Sequence, residues 1–477
     1  MWWLLIPGVI VVFLAVLIIR ALAFKPPAAE TSERAEVSID RDAVAQRFAR
    51  MIRCKTVSYV DETLEDKAEF EKFIALLSEL YPNVHKACEV ERMARRGILF
   101  KLKGKSNAAP VVFMSHFDVV PADESAWEKP AFEGIIEDGV LWGRGALDTK
   151  GTLCGVMESA ETLLKQGFIP ENDLYFAFAG DEEVYGTTAP AMVAELKKRG
   201  IVPAMVLDEG GAVVEGIFPG VEGPCALVGT AEKGMLVAEF SVESHGGHAS
   251  MPPAHTPIGQ LSRAVLRIEG KPFKSRLTPP VAAMFDTLGR HSTFVYRLIF
   301  ANLWCFMPVL DAIFRKKGGE MNAMLRTTCA FTMMEGSNAS NVLPPLAKMS
   351  ANLRIIGGET PDKAIEYMKS VIDDPDVKIG TVYGMTPSPD SPANGAPWER
   401  LKDAISQTWP GAIVSPYLMF ACSDSRHYCE ICERVYRFSA ALLSREDRAT
   451  IHGHNERIRV DTLATIVKFY IRLMSKC

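Results

Sequence analysis

Neither sign of charge dominates this sequence, because 53 basic residues stand against 58 acidic ones for a formal net charge of −5. A chain without a basic excess is not a strongly basic nucleic-acid-binding protein, so no nucleic-acid partner is expected. Internal repeats and low-complexity tracts are also lacking, which excludes fibrous and disordered proteins. Only ten cysteines are scattered over 477 residues, and they do not have the pattern of a disulfide framework. The composition is that of a globular protein of about two to three domains.

One long hydrophobic run is present, and it lies at the N-terminus. Trp2 to Ile19 contains no charged side chain and approaches the roughly 20 residues that a helix needs to cross a bilayer. We interpret residues 1–24 as a single-pass membrane anchor, with a cleavable signal peptide and secretion as the alternative, because Ala21-Leu22-Ala23 offers a cleavage site. Basic residues follow the run, which favours a cytoplasmic body but leaves the side of the membrane open. Residues 25–40 are rich in proline and polar residues and predict a linker.

From Arg41 onward, short apolar runs alternate with helix-periodic stretches, the pattern of an α/β protein with a doubly wound, mostly parallel sheet. After about Ala231 the pattern changes to β-like runs around helical ones, which predicts an inserted α+β domain over residues 232–385. Residues 386–477 are expected to return to the sheet formed by residues 41–231. The candidate strands of the first domain are Gly97–Leu102, Pro110–Ser115, Leu174–Ala179 and Ala204–Leu207, and a helix is expected over Gly151–Lys165.

Thr293–Leu310, within the predicted insert, is apolar enough to resemble a second membrane span. Arg297, Asn302 and Pro308 interrupt it, and a charge within hydrocarbon costs on the order of 3 kcal/mol. We therefore reject a span. A buried helix pair and an apolar surface or channel that meets lipid or a lipid-like substrate are the two interpretations left open.

Residues with the chemistry of a metal site follow several predicted strands. His116 and Asp118 end an apolar strand and face the same way in extended chain, so a ligating imidazole would have a carboxylate to fix its tautomer. Asp148 lies in a glycine-rich turn before a helix, where a helix cap is the simpler interpretation. Further acids and histidines follow at Asp181-Glu182-Glu183, Asp208, and His452-Gly453-His454-Asn455-Glu456.

His116, the Gly180 turn and Asp208 each come directly after a strand. In open α/β sheets, ligands bind outside the carboxyl ends of the strands, so these side chains are expected to meet. Histidines and carboxylates without cysteine suit Zn²⁺ in a catalytic site, and paired ions would lie roughly 3.5–4 Å apart.

The ordered motifs resemble the di-zinc aminoacylase and carboxypeptidase family, which includes aminoacylase, carboxypeptidase S, bacterial glutamate carboxypeptidase and succinyl-diaminopimelate desuccinylase. The similarity runs from about Ala43 onward and is greatest to the carboxypeptidase S branch and its relatives that make or cleave N-fatty-acyl amino acids. Its blocks are MSHFDVVP, LWGRGALDTKG, AGDEEVYG, LDEGG, SHGGHASMPP, NASNVLPP, NLRII, SDSRHY and HGHNERI.

The resemblance implies two Zn²⁺ per subunit, with Co²⁺ or Mn²⁺ as possible substitutes. One ion would be held by His116, Asp148 and Asp208, and the other by Asp148, Glu183 and His454, with Asp148 as the bridge. The position after Gly453 is taken as the ligand position, which selects His454 over His452.

The family also implies roles for the neighbouring residues. Glu182 would be the general base that activates a metal-bridging water, and Asp118 would orient His116. The inserted domain would be a lid and a dimerisation surface. From it, His248 would stabilise the oxyanion, and Asn341 and Arg354 would contact the substrate carboxylate.

This sequence departs from the family at Ala421-Cys422-Ser423-Asp424, where relatives usually have Gly-Gly-Thr-Asp, so amino-acid preference is open there. We expect a zinc-dependent hydrolase that cleaves the amide bond of N-acyl amino acids or short peptides next to a free carboxylate. A peptide carboxypeptidase or dipeptidase, or a catalytically inactive membrane-tethered binding protein, are the alternatives.

Overall fold

A computed structural model describes residues 5–27 and 36–477. The first four residues of the predicted anchor, and residues 28–35 of the predicted linker, lie outside the described residues. The helices, α1 to α16 in chain order, are Leu5–Ala23, Arg41–Ile52, Lys67–Leu80, Pro82–Ala87, Lys150–Lys165, Thr188–Lys198, Pro257–Gly270, Pro279–His291, Phe294–Phe300, Leu303–Lys317, Gly319–Leu325, Pro361–Ile372, Gly395–Thr408, Ser425–Tyr428, Arg445–Thr450 and Val460–Met474. The strands, β1 to β17, are Cys88–Met93, Gly97–Leu102, Ser106–His116, Ile135–Glu137, Val140–Trp142, Asn172–Ala179, Met205–Val214, Cys225–Glu232, Gly234–Glu243, Gly247–His248, Thr328–Glu335, Val342–Leu343, Leu346–Ile355, Lys378–Met385, Ile413–Met419, Val435–Leu442 and Arg457–Arg459.

The largest sheet has eight strands in the order β1-β2-β6-β3-β7-β16-β8-β15. Its centre is parallel, in the pairs β6–β3, β3–β7 and β7–β16, and antiparallel pairing is found at the β1-β2-β6 edge and between β7 and β8. Helices α5, α13 and α16 pack on one face, and α6 and α14 on the other. Residues 110–116 of β3 are buried throughout, as expected of a strand covered on both faces. The predicted α/β class with a mostly parallel sheet is confirmed.

A second, antiparallel sheet of β11-β13-β9-β14 is covered by α7 and α12 and has its own apolar core. Helices α8 to α11 lie between these elements in sequence, but their buried side chains belong to the core of the large sheet, and α8 packs on β15. The segment over residues 279–325 thus packs with the first domain, although the sequence pattern assigns it to the insert.

Two apolar regions lie at the surface. Helix α1 is long and apolar enough to cross a membrane, and most of its side chains are exposed. The apolar stretch from Thr293 does not form one straight span, because α9 and α10 are bent by 104° at Ala301 and Asn302. Phe300 and Phe314 of this pair are buried, whereas Val295, Trp304 and Val309 are exposed, so the interpretation as a buried helix pair holds only in part.

Candidate metal centre

Three neighbouring strands deliver the central side chains. In the sheet order β6-β3-β7, His116 is the last residue of β3, Glu182 follows the end of β6, and Glu209 lies on β7. Nε2 of His116 lies 3.1 Å from Oδ1 of Asp148, 3.2 Å from Oε1 of Glu209 and 3.9 Å from Oε2 of Glu182. The predicted convergence at the carboxyl edge of the parallel strands is therefore present.

A second histidine enters from the chain that follows α15. Nε2 of His452 lies 3.0 Å from Oδ2 of Asp148 and 3.1 Å from Oε2 of Glu183. Asp148 presents one carboxylate oxygen to each imidazole. This is the geometry of a carboxylate shared between two adjacent cation sites.

We call His116, Asp148, Glu182, Glu183, Glu209 and His452 the metal-ligand cluster. Its second histidine is not the one selected from the sequence. His454 is exposed, and in the described part of the chain no hydrogen bond or ion pair joins it to the cluster. The backbone of His452 has a φ of +57°, and the chain turns so tightly here that residues 452 and 454 face different surroundings. The structure therefore brings His452, and not the predicted His454, to Asp148 and Glu183.

A similar correction applies to Asp208. Its carboxylate is buried and accepts a hydrogen bond of 3.1 Å from the backbone N–H of Ser425, whereas the adjacent Glu209 reaches His116. Successive side chains of a strand point to opposite faces, so only one of the two acids can join the cluster. Asp208 thus contacts the loop at Ser425, and Glu209 is the acid that reaches His116.

Asp118 contacts both His116 and the turn that carries Glu182 and Glu183. Its Oδ1 lies 3.3 Å from Nδ1 of His116, and its backbone oxygen lies 3.0 Å from the same nitrogen. The carboxylate also accepts hydrogen bonds from the backbone N–H groups of Glu182 and Glu183 and from the hydroxyl of Ser58. One buried acid therefore fixes both the imidazole and the turn that carries the two glutamates.

Glu456 supports the Asp148 turn, a role not anticipated from the sequence. It is fully buried and accepts hydrogen bonds from the backbone N–H groups of Gly145, Leu147 and Asp148, with an ion pair of 2.8 Å to Arg144. Four donors converge on one carboxylate, which holds the turn in one conformation. The sequence feature that could have indicated this role is the position of Glu456 at the end of His452-Gly453-His454-Asn455-Glu456, four residues after the histidine that reaches Asp148.

Burial of the acidic side chains has the largest effect on their pKa values. Burial raises the pKa of Glu182 well above its usual range, and that of Glu183 in the same direction. Burial, reinforced by the charge of Asp148, raises the pKa of Glu209 to about 8. For Asp148 itself, burial acts to raise the pKa, but hydrogen bonds from the two histidines outweigh it and the pKa is lowered.

The histidines respond in the opposite sense. Hydrogen bonds to Asp148 and Glu183 raise the pKa of His452 to about 10. Burial acts to lower the pKa of His116, but the charge of Glu209 and bonds to neighbouring acids raise it well above the ordinary value. A cluster that draws protons this strongly has an excess of negative charge that a cation would neutralise.

The donor set fits divalent metal ions. Ligand atoms of His116, Asp148 and Glu183 lie within 4.8 Å of one another, and so do those of His116, Glu182 and Glu209. Imidazole and carboxylate donors without thiolates suit Zn²⁺, Mn²⁺ or Co²⁺ in sites that keep an open position.

The residues predicted to contact substrate lie on the second sheet and its loops. Arg354 is half-buried, and its Nη1 lies 3.6 Å from Sγ of Cys422. His248 and Asn341 are exposed, and the ring of His248 contacts Ser250. Within residues 5–27 and 36–477, no hydrogen bond or ion pair joins His248 or Asn341 to the metal-ligand cluster.

A cavity of about 360 Å³ opens beside the cluster. Asp148, Glu182, Glu183, Glu209 and His452 form its polar wall. The apolar part of the lining includes Tyr417, Met419, Phe420, Leu443, Ile458 and Ile466. In the described chain, residues 294–310 do not line this cavity.

The fold and this site define a metal-dependent hydrolase of the α/β class. The family model for peptidase family M20/M25/M40 matches residues 112–476. The chain belongs to this family, and it is a hydrolase that acts on amide bonds. The resemblance found in the sequence, including its carboxypeptidase S and fatty-acyl branch, is confirmed.

Two relatives and one solved structure show how far the similarity extends. The N-fatty-acyl-amino acid synthase/hydrolase PM20D1 of Xenopus tropicalis is 34% identical, over 98% of this chain and 93% of its own length. A probable carboxypeptidase S-like 2 of Dictyostelium discoideum is also 34% identical, over 90% and 84%. The M20 family metallo-carboxypeptidase Sso-CP2 of Sulfolobus solfataricus shares the fold with a TM-score of 0.67 at 16% identity, over 91% of this chain and 98% of its own.

Proposed function

We propose that this enzyme hydrolyses N-acyl amino acids that carry a long apolar acyl group, at the amide bond next to the free carboxylate. The observation that carries the proposal is the cavity beside the metal-ligand cluster, because one of its walls is charged and the rest of its lining is largely apolar. An amphiphilic amide fits such a cavity, with its acyl chain among the apolar side chains. The PM20D1 relative is named for N-fatty-acyl amino acids, which supports this substrate class.

The carboxylate of the substrate would meet Arg354. Its guanidinium lies next to Cys422, which lines the cavity, so a cation is available at the edge of the site. Arginine binds a carboxylate through two parallel hydrogen bonds, which would fix the amide relative to Glu182.

Two divalent ions, zinc by preference and cobalt or manganese as substitutes, would be held by His116, Asp148 and Glu209 and by Asp148, Glu183 and His452. When bound, such ions supply Lewis-acid polarisation of the scissile carbonyl and lower the pKa of water. Asp118 would hold His116 in the tautomer that leaves Nε2 free as a ligand.

Glu182 would serve as the general base. Its side chain is partly accessible from the cavity, and its backbone is fixed by Asp118. The carboxylate would accept a proton from the attacking water and deliver it to the amine of the departing amino acid. Such a proton transfer contributes typically about 10²–10⁴ in rate.

The test is amino-acid release from N-acyl-phenylalanines of rising chain length and from blocked dipeptides. Leu443→Gln places a polar group in the cavity lining, and Leu442→Gln is the matched control, since Leu442 is the adjacent leucine but is exposed and does not line the cavity. Activity that rises with acyl length, and that Leu443→Gln reduces selectively for long chains, is the expected result. Release from dipeptides alone would favour the peptide carboxypeptidase, the second candidate, which the carboxypeptidase S-like relative supports.

We further propose that α1 anchors the enzyme in a membrane and that two copies form a dimer through the inserted domain. The length and apolar surface of α1 support the anchor, although a signal sequence has the same character. The exposed position of His248, apart from the cluster of its own chain, supports a rearrangement or a second copy that completes the site. Sedimentation of the detergent-solubilised full chain tests the dimer, and a monomer at all concentrations would exclude it.

A further inference from the structure

Helix α1 and the bent pair α9–α10, which we call the elbow (residues 294–317), lie side by side although their contacting residues Arg20 and Ala301 are 281 positions apart in sequence. The Arg20 guanidinium donates hydrogen bonds to the backbone oxygen of Ala301 and to Oδ1 of Asn302, at 3.0 and 3.1 Å. Nδ2 of Asn302 in turn donates to the backbone oxygen of Leu17 at 3.1 Å. The polar groups at the bend of the elbow are thus satisfied by α1, and the two elements form one continuous surface.

The outer face of the elbow is apolar and exposed. Trp304, Val309 and Ile313 are 60%, 56% and 51% exposed, and with Pro308 and Ala312 they form a stripe on one side of α10. Val295 of α9 is 67% exposed. Water is a poor solvent for such a stripe, and hydrocarbon is a good one.

The acidic residue of the elbow and three of its four basic residues are placed as a membrane surface requires, and the fourth, Arg297, is half-buried. Asp311 is the one acidic residue of the elbow, and it forms an ion pair with the buried Arg326 instead of facing outward. Arg315, Lys316 and Lys317 are exposed at the C-terminal end of α10, where their side chains could reach lipid phosphates while the apolar stripe enters the acyl region.

The depth of the elbow relative to α1 follows from helix geometry. The ring of Trp304 lies 6.0 Å from that of Phe13, edge to face, whereas Arg20 contacts the bend. Seven residues separate Phe13 from Arg20, which is about 10 Å along a helix axis. Interfacial helices bury their apolar face about 5–10 Å deep. With Arg20 at the level of the headgroups, Trp304 reaches that depth.

We propose that the elbow inserts into the membrane leaflet next to α1, so that the enzyme is held by a spanning helix and by a second, interfacial contact. Lipid acyl chains are the partner of the elbow, because the elbow continues the apolar surface of α1. The exposed apolar side chains of α1 are solvated well by hydrocarbon and poorly by water. This inference rests on the proposed anchoring of α1, and it fixes the orientation of the folded body on the bilayer.

The test uses the full chain reconstituted in phosphatidylcholine vesicles with and without bromine on the acyl chains. Bromine quenches tryptophan fluorescence on contact, and comparison with Trp304→Phe isolates Trp304 from the other tryptophans. Trp142→Phe is the matched control, since Trp142 lies in β5 against Arg457. Bromine-dependent quenching that falls in Trp304→Phe and is unchanged in Trp142→Phe is expected, whereas equal quenching in the unaltered chain and Trp304→Phe would overturn the inference.

A second variant separates the elbow from the anchor. Val309→Glu with Ile313→Glu changes two exposed positions, and it should abolish the quenching of Trp304 while the chain still resists extraction from the vesicles at alkaline pH. Extraction of the unaltered chain would refute the proposed anchor itself. In the unaltered chain, retention without quenching of Trp304, or retention with cross-linking of two copies through the elbow, would refute the interfacial contact alone.

Discussion

Nε2 of His452 lies 3.0 Å from Oδ2 of Asp148, and the other oxygen of this carboxylate lies 3.1 Å from Nε2 of His116. A single acid placed between two imidazoles is what a shared ligand of two cations requires. The relationship also identifies which histidine of His452-Gly453-His454 enters the site. Substitution of His452 and of His454, one at a time, can therefore test which of them is a metal ligand.

We predict that His452→Ala binds about one metal ion fewer per chain and loses activity, because the ion at Asp148 and Glu183 loses one of three protein ligands. His454→Ala is the matched control, since the two histidines are two residues apart and both are exposed. Elemental analysis after gel filtration measures the metal. Full metal content in His452→Ala together with metal loss in His454→Ala would restore the original choice of ligand.

The neighbours Asp208 and Glu209 give a second matched pair. Glu209→Gln should weaken metal binding, because a carboxamide is a poorer ligand than the carboxylate beside His116. Asp208→Asn should retain the metal but lower the free energy of unfolding by about 1–3 kcal/mol, since the buried carboxyl group that accepts from the Ser425 N–H is replaced by an amide whose N–H₂ group needs a new acceptor. Metal titration and denaturant unfolding separate the two effects, and the reverse pattern would return the ligand role to Asp208.

Glu182→Gln tests the general base. The substitution preserves the shape of the side chain but removes proton acceptance, so kcat should fall by about 10²–10⁴ while metal content is unchanged. Since Asp118 holds the backbone N–H of this residue, the turn is expected to keep its conformation. Retention of more than a tenth of the activity by the metal-loaded variant would exclude the role.

Prediction from sequence succeeded for features that depend only on residues close together in the chain, such as hydrophobic periodicity. The apolar run of β3 and the helix α5 follow from periodicity, and the place of His116 follows from the end of β3. For Asp148, the local pattern favours a helix cap, and only the family resemblance implies a ligand. Which of two adjacent acids and which of two nearby histidines reach the cluster was not predictable, because it depends on the register of β7 and on a positive φ at His452. The role of Glu456 was not predictable from the sequence either, since the four groups that donate hydrogen bonds to it lie in a turn about 310 residues earlier.

Glu456→Gln should destabilise the fold as well as the site. The buried Arg144 would lose its charge partner, and an amide N–H₂ would face N–H donors. Breaking a buried ion pair costs about 3–5 kcal/mol in the free energy of unfolding. Glu399→Gln is the surface control, with an expected change within about 0.5 kcal/mol because its bridge to Lys402 is solvent-exposed. Equal denaturation midpoints for the two variants would show that Glu456 does not stabilise the turn.

Metal binding should release protons, in a number that depends on pH. In the metal-free protein the pKa of Glu209 is about 8 and that of His452 is about 10, so both hold a proton at pH 7. A ligand atom must be deprotonated, so zinc binding at pH 7 should release at least two protons per chain. At pH 9 the release should fall by about one, because Glu209 is then ionised before the metal arrives while His452 is still protonated.

Calorimetric titration of the metal-free chain in buffers of different ionisation enthalpy measures this release as the slope of the observed enthalpy. Glu209→Gln is the control, because it should lower the release at pH 7 by about one proton and remove most of the difference between pH 7 and pH 9. A release that is equal at both pH values in the unaltered chain would mean that Glu209 is already ionised at pH 7. Burial and the charge of Asp148 would then not hold a proton on Glu209 before the metal binds.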